Sequence, residues 1–404
     1  MPFILIAVLI DMVSIGIIIP VLPVLVGTFT GSQADQAFWF GIVAFSFGIA
    51  NFFGSPVLGA LSDRFGRRPV MLIGFCGLAV SFFGTALATS LWMLVVVRLF
   101  SGAMQSNIAV ANAYVADITA PADKARRFGL LGSMFGLGFI LGPVVGGLLG
   151  EIDLRLPFFA AGSLALLNFV YGVLVLPESL PLDRRRAFEW RRANPVASLR
   201  TLRALKGVGP LVVALALAGL AQFTMHMSWV LYTSFKFGWG PLENGWSLMA
   251  VGAMSMLVQG LLMKPLLARF SPQRLATMGM FSWVLCFLGW GLAGTGWVMF
   301  AVIGLNLFGF AANASLQSIV SNAADAHTQG QTMGAVASLN SMAAVLAPLI
   351  ASTLLGFVAH LPQGSIGIGL PLFFCAAVQA LACAIAVRHF NRERALRVAA
   401  ATTA

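Results

Sequence analysis

The stretch Gly59-Ala60-Leu61-Ser62-Asp63-Arg64-Phe65-Gly66-Arg67-Arg68-Pro69 decides how the rest of the chain is read. It sets one acid, three arginines and two glycines between two apolar runs, from about Phe38 to Leu58 and from Val70 to Leu87. Gly66 and Pro69 interrupt helices, and arginines stay in the headgroup region of a bilayer. The stretch therefore reads as a tight polar loop at a membrane surface. Length and charge alone would suit any loop between two membrane helices.

The totals support a membrane setting. Of 404 residues, 59% are hydrophobic and 9% charged, and the mean hydropathy is +0.93. A soluble domain carries about 25% charged residues. A spanning helix needs roughly 20 mostly apolar residues, so the chain holds about twelve. Lipid admits only helices or closed barrels, and continuous rather than alternating apolar runs exclude the barrel. The spacing predicts spans at about 3–26, 38–58, 70–89, 91–115, 128–149, 157–176, 209–232, 243–263, 275–293, 296–319, 332–358 and 367–388. The four cysteines, Cys76, Cys286, Cys375 and Cys383, all lie in apolar runs without metal spacing. They read as buried small hydrophobes. Met1 leads straight into an apolar run without a basic flank, so no cleavable signal peptide is read.

Charge sets the orientation. Of 24 Lys and Arg, 21 fall in loop 2–3, loop 4–5, the segment after span six, loop 8–9 and the tail. Arg155 and Lys236 lie opposite, and Arg98 lies inside span four. Basic loops stay in the cytoplasm. Both termini are thus expected there, in a multi-pass protein of the cell (inner) membrane. A net charge of +11 distributed this way points to lipid and not to nucleic acid.

The long connection 177–208 divides the chain into an N-terminal six-helix bundle over 1–176 and a C-terminal bundle with a short tail over 209–404. Within it Val196, Leu199, Leu202 and Leu205 recur at helical spacing with Arg200, Arg203 and Lys206 between them. That pattern suits either a surface amphipathic helix or a basic linker. The halves repeat: Gly129 to Pro143 matches Gly334 to Pro348, and Arg98-Leu99-Phe100 aligns with Asn306-Leu307-Phe308. Asp117 then falls on Asp325, and Arg64-Phe65 is echoed by Arg269-Phe270. Duplicated halves are how many secondary transporters are built.

Enzyme signatures are absent: no HExxH, no GxSxG and no Walker loop. The run Gly136-Leu137-Gly138-Phe139-Ile140-Leu141-Gly142 lacks a preceding strand and lies within a span. No catalytic residue, metal ligand or cofactor is expected, and a gradient must supply the energy. Ionisable residues within spans are expensive and mark function. Asp11 in span one would cost at least about 2.5–3.5 kcal/mol as a bare carboxylate, so it is protonated, paired or facing a wet cavity. It is the leading candidate to exchange a proton. Arg98 is a fixed charge beside it or a substrate ligand, and His226 can titrate. Polar side chains expected along a substrate cavity are Gln105, Asn107, Asn112, Gln222, Asn306 and Asn340, with Trp229. Gly138, Gly142, Gly146 and Gly147 have the spacing for close helix contact, and Pro143 kinks the helix among them.

These residues carry a family resemblance. Gly59, Leu61, Asp63, Arg64, Gly66, Arg67 and Arg68 match the loop 2–3 signature of the major facilitator superfamily. Arg98-x-x-Ser101-Gly102 resembles its span-four motif. Gly138-x-x-x-Gly142-Pro143-x-x-Gly146-Gly147 resembles the span-five motif of its drug/proton antiporters. Asp11-x-x-x-x-Gly16-x-x-x-Pro20-Val21-Leu22-Pro23, Ala113 to Thr119, Pro157 to Ala161 and Asn194 to Ser198 look like the tetracycline efflux branch. The resemblance implies an all-α fold of twelve helices in two pseudo-symmetric bundles. It implies a monomer that exchanges a small drug for protons, with Asp63, Arg67 and Asp117 as a cytoplasmic latch. Two departures argue against tetracycline as cargo. The branch carries acids in spans three and nine, where this chain has Ser81 and Ser282. Export or uptake of an endogenous metabolite is the alternative. A non-transporting receptor would need neither the loop motif nor duplicated halves.

Overall fold

Apolar runs of this length leave backbone N–H and C=O groups no partner but their own helix. The computed structural model describes residues 2–105, 107–120, 123–188, 209–323 and 329–402, and among them every regular element is helical. The first half contains α1 (Pro2–Ile18), α2 (Leu22–Gly27), α3 (Gln33–Phe65), α4 (Arg67–Ala86), α5 (Leu91–Met104), α6 (Asn107–Asp117), α7 (Lys124–Ile152) and α8 (Leu156–Val175). The second contains α9 (Gly209–Phe237), α10 (Pro241–Leu257), α11 (Met263–Arg269), α12 (Pro272–Leu292), α13 (Gly296–Leu305), α14 (Leu307–Ala323), α15 (Gln329–Val358) and α16 (Leu370–Thr402).

Eleven helical stretches among the described residues are long and apolar enough to cross a membrane, and they coincide with eleven of the expected spans. The tenth, expected over 296–319, is divided at Asn306 into α13 and α14. Span four divides at Gln105 in the same way. Span one divides at Pro20, whose ring cannot follow an α-helical turn. Ile19 N–H turns back to Gly16 and Val21 N–H to Ile18, three residues each, which tightens the chain there. Other ends are capped locally: Ser32 Oγ accepts from Asp35 N–H and Ser90 Oγ from Met93 N–H. The described residues of the connection 177–208 end at Phe188 without regular structure, so its predicted amphipathic stretch and Asp325 of the repeat lie outside them.

Two compact units emerge, Met1–Pro195 with Thr233–Ala253, and Val196–Tyr232 with Met254–Ala404. The second half of the sequence thus lends 233–253 to the first unit. That unit is centred on Ile4, Val8, Met12, Met71, Phe75, Val110 and Tyr114, from α1, α4 and α6. Large apolar side chains face outward, with Leu174 77% and Trp297 81% exposed. A surface of this kind suits lipid. Cys76, expected inside, lies on such an outward face of α4, while Cys286 and Cys375 are buried.

Glycines bring α1 and α7 into backbone contact. A Cβ on Gly16 would stand 2.9 Å from Gly138 O and from the Gly142 Cα. Gly146 abuts the Ile17 carbonyl. Gly147 points elsewhere: a Cβ there would meet Pro241 O at 2.7 Å and the Gly245 Cα at 3.3 Å, at the start of α10. The expected packing glycines therefore serve two neighbours from one helix, both in the first unit.

Candidate functional site

Asp11 comes ten residues into an apolar helix, and the helix turns it inward. It is 3% exposed, the one buried carboxyl among the described residues. Asn107, at the first turn of α6, donates from Nδ2 to Asp11 Oδ1 at 3.2 Å. The break at Gln105 allows this placement: α6 restarts with Asn107 wedged against Gly74 of α4, where no Cβ would fit. Asn51 of α3 pins the break by donating from Nδ2 to Gln105 O at 2.6 Å. One turn before Asp11, buried Asn168 of α8 donates to the Ala7 carbonyl at 2.9 Å, and its own Oδ1 has no partner among the described residues. Buried amides thus tie α1 to α6 and to α8 around a single carboxyl.

Arg98 is 5% exposed, and its Nε and Nη2 have no hydrogen-bond partner among the described residues. No ion pair joins it to Asp11 there. A buried guanidinium with unused donors is costly unless a ligand or water meets it. Ser81, at the place of the span-three acid, is buried, and its Oγ has no partner among the described residues.

A second cluster forms at the opening stretch. Gly66 has φ +106° and ψ 160°, a region essentially reserved for glycine. It lets α4 begin one residue after α3 ends. Arg67 then folds back and is 8% exposed. Its Nη1 lies 2.6 Å from Asp63 Oδ1 and donates to Ser62 Oγ at 2.6 Å, and its Nε donates to Asp117 Oδ2 at 3.0 Å. The ends of α3, α4 and α6 meet on one side chain. The side chains of Arg64 and Arg68 are not part of that junction: Arg64 stands over the Phe65 ring, and Arg68 donates from Nη2 to Val173 O at 2.5 Å. Gly59 has open space around it.

Glu178 completes this cluster, and its role was missed from sequence. Its carboxylate accepts from the backbone N–H of Arg67 at 2.8 Å and of Arg68 at 3.3 Å. It thereby serves the N-terminus of α4, where anions are favoured. Gly66 has no room for a Cβ because Glu178 fills that space. Ser179 Oγ donates to Asp117 Oδ2 at 3.4 Å, and Arg186 N–H to Asp63 O at 3.0 Å, so the start of the long connection threads through the junction. The available signal was an acid just after Pro177, at the close of span six.

In the second unit the nominated residues stand apart. His226 is exposed, its Nδ1 2.7 Å from Gln222 O, and Gln222 Nε2 has no partner among the described residues. Trp229 is buried against Trp290 edge to face, with Trp283 and Phe287 adjoining Trp290. Asn306, fully buried, accepts from Ser282 Oγ at 2.8 Å, so the position of the span-nine acid is a neutral hydrogen bond. Asn340 lies against Gly219. In the first unit Asn112, also nominated, bonds within its own helix, to Ile108 O.

A family model described as Major Facilitator Superfamily matches residues 4–348. The tetracycline resistance protein, class C, of Escherichia coli is 35% identical over 344 residues, 85% of this chain and 86% of that protein. The class D protein of Salmonella ordonez is 33% identical over 345 residues, again 85% and 86%. The crystal structure of the nucleoside transporter NupG superposes with a TM-score of 0.76 at 14% identity, covering 96% of this chain and 98% of that one.

Proposed function

The chain belongs to the major facilitator superfamily, and on that premise we propose that it exports a small, largely apolar drug-like compound in exchange for protons by alternating access. Members of this family are membrane transporters of small molecules, not enzymes. The observation that carries the proton half of the reading is Asp11, alone among the described acids in being buried, with Asn107 as its hydrogen-bond partner. An ionised carboxylate accepts that bond strongly. A protonated one is a weaker acceptor, so a proton arriving at Asp11 loosens the tie between α1 and α6. The same helix lies backbone to backbone on α7, so a change at Asp11 reaches a packing face and not only a side chain.

We assign the Asp63–Arg67–Asp117 junction, with Glu178, to a cytoplasmic gate outside the cargo site, in a monomer of the inner membrane with both termini inside. The division at 177–208 is proposed as the boundary between the two moving halves. The relatives named for tetracycline support the efflux class. Ser81 and the Ser282–Asn306 bond make both sites that would carry acids neutral here, so the cargo we propose is not tetracycline. A second reading has a specific support of its own: the Arg98 donors that lack a partner among the described residues suit an anionic group, which favours an endogenous organic anion.

The test is export by the full chain in a pump-deficient bacterium against a broad panel, with Asp11→Asn beside it. Wild type is expected to raise resistance to some apolar compound, and the variant, folded and equally abundant, to return it to background. Export that persists with an unchanged pH dependence refutes the role of Asp11. A panel without any shift, alongside exchange of organic anions in vesicles, would replace the drug reading with the metabolite one.

A further inference from the structure

In the second unit the start of α12 and the stretch 387–394 of α16 leave a cavity of about 580 Å³. Arg274 and Arg394 both line it, together with the polar Gln273 and Asn391 and the apolar Phe270 and Phe390. Neither guanidinium has an acid partner among the described residues. Two like charges facing one cavity repel at close range and are relieved by an anion between them. The N-terminal end of α12 adds its own partial positive charge. The surrounding sequence is mostly basic: no acid occurs between Val258 and Met280, and Lys264 and Arg269 precede Arg274. On the other wall Arg388, Arg392 and Arg394 stand against one acid, Glu393, whose side chain lies outside the described ones.

Both helices are spans, Pro272–Leu292 and Ile366–Arg392, so the cavity sits where a membrane helix meets the headgroup layer. A soluble phosphate would use only the polar wall and leave the two phenylalanines idle. A molecule carrying a phosphate and hydrocarbon together uses both. A zwitterionic headgroup would bring an ammonium into a cluster of arginines, whereas an anionic one would not. We propose that this cavity holds an anionic phospholipid, its phosphate between Arg274 and Arg394 and its glycerol and first methylenes along Phe270 and Phe390. Basic pockets between spans take such headgroups. The proposal needs α12 and α16 in a bilayer and is independent of what the protein exports.

The test uses the full chain in detergent, with thermal unfolding followed after addition of phosphatidylglycerol, phosphatidylcholine or inorganic phosphate. Phosphatidylglycerol is expected to raise the midpoint about 3 °C beyond phosphatidylcholine. Arg274→Gln/Arg394→Gln should lose that increment, and Arg388→Gln/Arg392→Gln, outside the cavity lining, should keep it. The proposal falls if the first double variant keeps the increment, if both pairs lose it equally, or if the two lipids act alike. An equal shift with inorganic phosphate also overturns it in favour of a soluble anion. Should the double variant fail to fold, native mass spectrometry of Arg274→Gln and Arg394→Gln singly must show one retained phosphatidylglycerol fewer than wild type. An unchanged count refutes it.

Discussion

Two helices begin at places the sequence repeat equates, α4 at Arg67 and α12 at Pro272, and they are started in different ways. Before α4 stands Gly66 in a glycine-only conformation, and the first backbone donors go to Glu178, more than a hundred residues downstream. Arg67 is held by Asp63, Ser62 and Asp117. Before α12 stands Ser271, extended, whose own Oγ accepts from Arg274 N–H at 3.3 Å, with Pro272 at the first helical position. The second start is self-contained: its cap is local and neutral. The first depends on three separate stretches of chain. A corner that many stretches share is one whose loss is felt at all of them, which is what a gate requires and an ordinary loop does not.

The largest expected effect is therefore Gly66→Ala. The new Cβ meets a φ of +106° and the space that Glu178 occupies. The backbone penalty with the displaced carboxylate should cost about 2–3 kcal/mol, read as a lowered unfolding midpoint and loss of export. If the variant is as stable as wild type, the corner is not strained and the contrast with Ser271 disappears.

Next comes the side-chain junction. Arg67→Ala removes three contacts, but the Asp63 side chain is 47% exposed and that of Asp117 23% exposed, so water replaces part of what is lost. About 1–2 kcal/mol is expected after that discount. Arg67→Lys should not rescue it, because an ammonium cannot reach two carboxylates as a planar fork does. Asp63→Asn keeps the backbone acceptor for Arg186 and removes only the charge. It should slow export about fivefold while leaving cargo affinity within twofold. An equal loss of affinity would move Asp63 from the proposed gate to the cargo site.

Much of this was legible in the sequence, for reasons that differ by element. Apolar runs located the spans because lipid leaves a segment no alternative to a helix. The split of span ten was hidden, since Asn306 is one polar residue in an apolar run and its partner Ser282 lies 24 residues away. Asp11 and Asn107 could each be picked out as polar residues in spans. Nothing local could join them across 96 residues. The motif nominated Asp63, Arg67 and Asp117 together. It did not nominate Glu178, because an acid at the end of a span looks like any exposed charge until the chain returns it to Arg67. His226 is the opposite case: its chemistry invites a role, and its one described polar contact is the carbonyl a turn away.

The smallest expected effect separates the two helix starts by the nature of their caps. Glu178→Gln keeps an acceptor oxygen but removes the charge at the α4 terminus, and Ser271→Ala removes the neutral cap of α12. Each should cost about 1 kcal/mol, so stability in dilute buffer does not distinguish them. Salt does. The attraction of the Glu178 carboxylate to the helix N-terminus, and to Arg185 Nη2 3.9 Å away, is screened within about 3 Å in 1 M salt, and the Glu178 side chain, 27% exposed, is accessible to that screening. The hydroxyl of Ser271 carries no charge to screen. The gap between wild type and Glu178→Gln should therefore narrow from low to high salt in detergent, while the gap for Ser271→Ala stays constant. If both gaps stay constant, Glu178 acts as a plain hydrogen-bond acceptor, and the first corner differs from the second in reach but not in electrostatics.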